Sequence, residues 1–143
     1  MPEAKNPRRA SVHIGYDGKV HKTYRDTLAD ERMRTEVAVL EHLGKQKCPF
    51  VPKLLEVDWE KKKIVTSNCG TRVQHLSDKK IKSLFDQLEQ FGVRHEDPFL
   101  RNITYRNTDG QFCLIDFEFA TLLDDPSVSL KPHLPEDLEA QNA

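Results

Sequence analysis

The sequence lacks most of the features that mark membrane, secreted or nucleic-acid-binding chains. Its apolar runs are short, as in Val37-Ala38-Val39-Leu40, against the roughly 20 residues a membrane-spanning helix needs. No membrane partner is expected. Cysteine is scarce, with Cys48, Cys69 and Cys113 alone among 143 residues. An odd number at wide spacing excludes a disulfide framework and points to reduced, buried thiols in a cytoplasmic protein. The segment Met1 to Ala10 is charged and contains proline, with no apolar stretch behind it, so it does not read as a secretory signal. Neither sign of charge dominates, because 22 Lys and Arg stand against 23 Asp and Glu for a net charge of -1. So even a balance excludes bulk electrostatic binding to nucleic acid or anionic membranes. What is present, 37% hydrophobic and 31% charged residues, suits one compact domain with a modest core and leaves no room for two catalytic domains.

Residues 1–10 and 124–143 are rich in proline, charge and small polar residues, and read as tails around a single domain at 11–123. Ser11 to Tyr16 and Lys19 to Tyr24 read as strands around an Asp17-Gly18 turn. On the second strand Lys22 shares a face with Val20 and Tyr24, because side chains alternate with period two. Met33, Val37, Leu40 and Leu43 form one stripe of a helix over Asp30 to Leu43, with Gly44 as its stop and Glu36 beside the stripe. Lys53 to Val57 and Lys63 to Thr66 add two strands, completing a sheet of four. Ser77-Asp78 caps a second helix with Ile81, Leu84, Phe85, Leu88 and Phe91 on one face and Gly92 at its end. A loop from Val93 to Arg101 leads into a hairpin of Asn102 to Arg106 and Gln111 to Phe117.

The polar residues that carry chemistry gather on this last hairpin. His95-Glu96-Asp97 is followed four residues later by Asn102, and the next strand ends Leu114-Ile115-Asp116-Phe117-Glu118. This resembles the catalytic loop and metal-binding motif of the protein-kinase-like superfamily. Glu118, where protein kinases carry glycine, and the run Ile-Asp-Phe-Glu-Phe-Ala look closer to aminoglycoside phosphotransferases, choline kinases and small atypical serine/threonine kinases. The resemblance implies an α+β minimal kinase-like fold. Residues 11–70 form a small antiparallel sheet with one helix, and 71–123 a reduced second lobe of one long helix and a catalytic hairpin.

The same resemblance implies transfer of the terminal phosphate of ATP, with magnesium, to a hydroxyl of a protein or small molecule. Asp97 accepts the hydroxyl proton, His95 holds the loop, and Asn102 and Asp116 bind magnesium through the oxygen ligands that a hard cation takes. Lys22 contacts the nucleotide phosphates and Glu36 pairs with it, which also answers the need of a half-buried lysine for an anionic partner. Ser67-Asn68-Cys69-Gly70 occupies the place of the linker that contacts adenine.

Two departures stand out. Only Gly15 and Gly18 precede the Lys22 strand, so no glycine-rich turn over the phosphates is expected, and the short stretch after Asp116 offers no helical substrate lobe. Both leave open a non-catalytic, pseudokinase-like binding or regulatory module. They also leave open a subunit completed by a partner protein, marked by an apolar patch beneath the helix at Phe85 and Phe91. Residue by residue, Asp97 and Asn102 also suit a plain turn, and Lys22 with Glu36 also suits a structural salt bridge. Arg8-Arg9-Ala10-Ser11 resembles a basic-directed phosphorylation site, with a solvated tail as the alternative. His13, His21, His42, His75 and His133 show no metal-ligand spacing. Trp59 is expected to pack over the sheet, and Lys61 to Lys63 to form a charged hairpin tip.

Overall fold

The computed structural model describes residues 10–125, 127 and 128. Arg8, Arg9, His133 and most of both expected tails lie outside the described residues. No helix among those described is long and apolar enough to cross a membrane.

The first half is an antiparallel sheet of β1 (Ala10–Ile14), β2 (Val20–Tyr24), β3 (Leu54–Asp58) and β4 (Lys63–Thr66), in the order β1-β2-β4-β3. Helix α1 (Ala29–Lys45) packs across β2 and β3 and buries the expected Met33, Val37, Leu40 and Leu43, but also Arg32, Glu36 and Val39. It does not stop at Gly44. The left-handed residue is Lys47 (φ 58°), and Cys48 N–H closes back on Leu43 O at 3.0 Å, so the turn beyond Lys45 ends the helix.

The second half holds β5 (Thr71–Arg72), α2 (Asp78–Glu89), β6 (Val93–Arg94), β7 (Ile103–Arg106), β8 (Gln111–Leu114) and β9 (Thr121–Leu122). Strands β5, β7 and β8 form one sheet, and β6 pairs with β9. Ser77 caps α2 as expected, its Oγ accepting from Lys80 N–H at 3.1 Å. The second strand of the β7–β8 hairpin is shorter than expected: β8 ends at Leu114, and Asp116 leaves the ladder in the left-handed region (φ 66°). Residues 124, 125, 127 and 128, expected to begin a tail, fold back on the domain instead. Val128 N–H donates to Asp125 O at 2.9 Å, and Leu122 N–H to Val128 O at 3.2 Å.

One hydrophobic core runs through both halves, from Tyr24 and Val37 to Leu88, Leu114 and Phe117. Leu114 N–H donates to Phe50 O at 2.9 Å, and Phe91 meets Phe50 edge-on at 5.5 Å, so the connection after α1 packs on the β7–β8 hairpin and on α2's end. Phe85 is buried against His95 at 5.1 Å and Phe91 is half-buried. The apolar patch expected of a partner-completed subunit is therefore not found beneath α2 among the described residues. Trp59 does not pack over the sheet; it is 53% exposed in the β3–β4 turn. All three thiols are free, Cys69 and Cys113 buried and Cys48 half-buried.

The junction of the halves turns on Gly70, at φ 93°, where an added Cβ would lie 1.9 Å from Tyr105 O. Neither the dihedral nor the contact admits a side chain. Gly70→Ala is expected to lower unfolding free energy by about 3 kcal/mol in urea titration, and a loss below about 0.5 kcal/mol would contradict this close approach.

Candidate active site

Alternation along β2 points Lys22, with Val20 and Tyr24, away from solvent, and its side chain is 11% exposed. Three carboxylates surround its ammonium. Nζ lies 2.7 Å from Glu36 Oε1 on α1, 2.7 Å from Glu118 Oε2 and 3.4 Å from Asp116 Oδ1. Burial works against the charge, but Asp116, Glu118 and Glu36 outweigh it and hold the Lys22 pKa well above its ordinary value. Tyr24 OH donates to Glu36 Oε1 as well. Burial, then the Glu36 carboxylate, push its phenol far up, so it remains a donor. The other Glu36 oxygen accepts the Phe117 N–H at 2.8 Å.

His95, Asp97 and Asn102 assemble beside this cluster. His95 is buried; its Nε2 donates to Ile115 O at 2.8 Å and its Nδ1 accepts the Asp97 N–H at 3.2 Å. These two partners define a neutral ring with one tautomer. Burial lowers the His95 pKa and keeps it neutral. Glu96 takes the left-handed region (φ 71°) and accepts from Thr121 Oγ1 at 2.6 Å. That turn leaves Asp97 partly open to solvent. Its Oδ2 accepts from Asn102 Nδ2 at 2.8 Å and its Oδ1 from Arg101 Nη2 at 2.6 Å. Asn102 Nδ2 also donates to Asp97 O at 2.9 Å. Ile115 N–H donates to Asn102 O at 3.0 Å, tying the 95–102 loop to the Asp116 segment.

The residues fit a hard divalent cation. Glu36, Asp116 and Glu118 each offer an oxygen within 4.8 Å of the others'. Asp116 alone of the three is exposed, its side chain by 45%. Glu36 and Glu118 are occupied with buried cations, which leaves Asp116 to face a ligand. Because the Asn102 amide nitrogen is committed to Asp97, its oxygen is the atom it offers a cation.

The sequence-predicted site residues thus fall into two joined groups, Lys22 with Glu36 and Asp116, and His95 with Asp97 and Asn102. Sequence reasoning missed the buried roles of Glu118, Arg32 and Tyr24, and the contact of Arg101 with Asp97. The spacing of Arg32 four residues before Glu36, which puts both on one face of α1, was the available signal. The β1–β2 turn is a closed hairpin, as expected from its composition. Gly15 N–H donates to Lys19 O at 2.9 Å, Gly18 N–H to Gly15 O at 3.0 Å, and Lys19 N–H to Asp17 Oδ1 at 2.9 Å. In the linker Cys69 O accepts from Thr104 Oγ1 at 2.7 Å and Gly70 N–H donates to Asn68 Oδ1 at 2.8 Å.

A lowered His95 pKa means that the unfolded chain binds more protons below the ordinary imidazole value of 6.5. Its contribution is complete above that pH and is lost as pH falls through the folded pKa. Stability is expected to drop by up to about 1.4 kcal/mol per pH unit in this window, and His95→Gln to flatten that slope in urea titrations at pH 7.5 and 5.5. Identical slopes would contradict a buried neutral His95.

No protein-family model and no curated protein sequence matches the chain. Among solved structures it is similar to Rio2 kinase from Chaetomium thermophilum, described as an ADP/Mg2+-phosphoaspartate complex. The TM-score is 0.58 at 19% identity, over 91% of this chain and 49% of that one. The chain therefore spans about half the length of the kinase it matches. At that identity the likeness establishes architecture, and the architecture is a minimal protein-kinase-like α+β fold.

Proposed function

We propose that the chain is a phosphotransferase that uses ATP and magnesium to phosphorylate a hydroxyl of a protein or small molecule in the cytoplasm. The observation that carries this reading is the convergence on one ammonium. Lys22 reaches Glu36 and Asp116, and Asp116 lies 94 positions away in the chain. A lysine held by a helix glutamate and turned toward an exposed aspartate is equipped to bind polyphosphate and its metal together. The ADP and magnesium in the Rio2 kinase complex support the same assignment.

In this reading Lys22 binds the nucleotide phosphates and Glu36 fixes its direction. Magnesium held by Asn102 and Asp116 supplies neutralisation of phosphate charge. Asp97 orients the acceptor hydroxyl and takes its proton; each of its oxygens keeps a second lone pair beyond the Asn102 and Arg101 bonds. Arg101 is 62% exposed and can yield to an incoming acceptor. His95 holds the Asp97 backbone and does not reach substrate.

The test is thermal unfolding with ATP, with and without magnesium. Nucleotide at about a hundred times its dissociation constant stabilises by roughly 2.7 kcal/mol, or about 5 to 10 °C. The shift should require magnesium and vanish in Asp116→Asn, while Asp97→Asn should keep the shift and lose phosphate transfer. No shift at millimolar ATP would contradict the proposal.

A further inference from the structure

The segment 116–118 is fastened to α1 at two points, and only one of them belongs to the lysine-glutamate pair. At the first, Glu36 Oε2 takes the Phe117 N–H at 2.8 Å. One turn earlier on the same helix face, Arg32 Nη1 donates to Glu118 Oε1 at 2.7 Å, while Glu118 Oε2 holds Lys22 Nζ at 2.7 Å. Arg32 is 1% exposed and Glu118 3%. The guanidinium is itself fixed by backbone, Nε donating to Thr27 O at 2.8 Å and Nη2 to Arg25 O. It cannot follow a departing loop. Displacing the segment would strip Glu118 from two cations and leave Arg32 without that carboxylate in a buried site, a state that desolvation strongly disfavours. Asp116, by contrast, is exposed, left-handed, and touched by Lys22 at 3.4 Å. Its position is inherited from its neighbours.

We propose that Arg32 and Glu118 form a latch that holds the Asp116 carboxylate in its ligand-binding position before any ligand arrives. They are positioning residues, and the inference rests on the reading of Asp116 as a ligand for nucleotide-bound metal. With the segment latched, binding needs neither a swing of α1 nor a loop rearrangement, so no affinity is lost to a minor competent population.

The experiment compares wild type with R32M/E118M, which removes both charges of the Arg32–Glu118 pair together and leaves Lys22 with Glu36 and Asp116. Two readouts are taken: amide hydrogen exchange at Phe117, with the core amide of Leu114 as internal reference, and calorimetric affinity for ADP with magnesium. The folded double variant should exchange Phe117 at least about tenfold faster relative to Leu114, and bind the probe at least about tenfold more weakly. Equal Phe117 protection in the folded variant would overturn the latch. Faster exchange with unchanged affinity would overturn the positioning role. If R32M/E118M does not fold, E118Q, similar in shape and uncharged, carries the same comparison. If wild type binds no ADP, the proposed function fails while the exchange comparison still decides whether the latch exists.

Discussion

A buried ammonium needs carboxylates, and in this chain that need joins the parts of the fold. Lys22 on β2 is neutralised by Glu36 on α1 and by Glu118 and Asp116 beyond β8. These partners come from two stretches of sequence, α1 and the segment 116–118, both distant from β2. A chain of this size has a modest apolar core, and desolvated charges penalise any arrangement that separates them by several kcal/mol per ion. The network therefore specifies how sheet, helix and the β7–β8 hairpin meet, while the shared core around Phe50, Leu114 and Phe117 supplies the bulk of the attraction.

The same cluster fixes Lys22 relative to the Asp116 segment. Glu36 divides its two oxygens between Lys22 and the Phe117 amide, so Lys22 and the Asp116 segment share one reference point. His95 performs the equivalent service for Asp97, bridging the 95–102 loop to Ile115 through a neutral ring buried between Phe85 and Phe117. Beneath the loop, Phe85 of α2 covers His95 and Leu88 joins the core.

The two helices could be read from sequence because their apolar spacing is long enough to repeat, as at Ile81, Leu84, Phe85 and Leu88. Lys22 and Glu36 could be read because each sits in register with apolar neighbours. The two-residue strands β5, β6 and β9 could not, since two residues show no alternation and their partners are distant. Leu114-Ile115-Asp116-Phe117 looks like one continuous strand, and nothing in its composition announces the left-handed turn at Asp116. Arg32 and Glu118 were hidden for the opposite reason: charged residues are ordinarily assigned to solvent, and only the pairing itself explains their burial. Trp59 shows that size and apolarity alone do not decide burial when the residue falls in a hairpin turn.

Lys22 and Glu36, 2.7 Å apart and both buried, are expected to be energetically coupled in the fold and not merely adjacent. A double-mutant cycle of Lys22→Met and Glu36→Met, followed by urea unfolding, measures that coupling directly. The account predicts a coupling of at least about 1.5 kcal/mol, with the double variant more stable than the sum of the single losses implies. A coupling below about 0.5 kcal/mol, the range of independent sites, would contradict it.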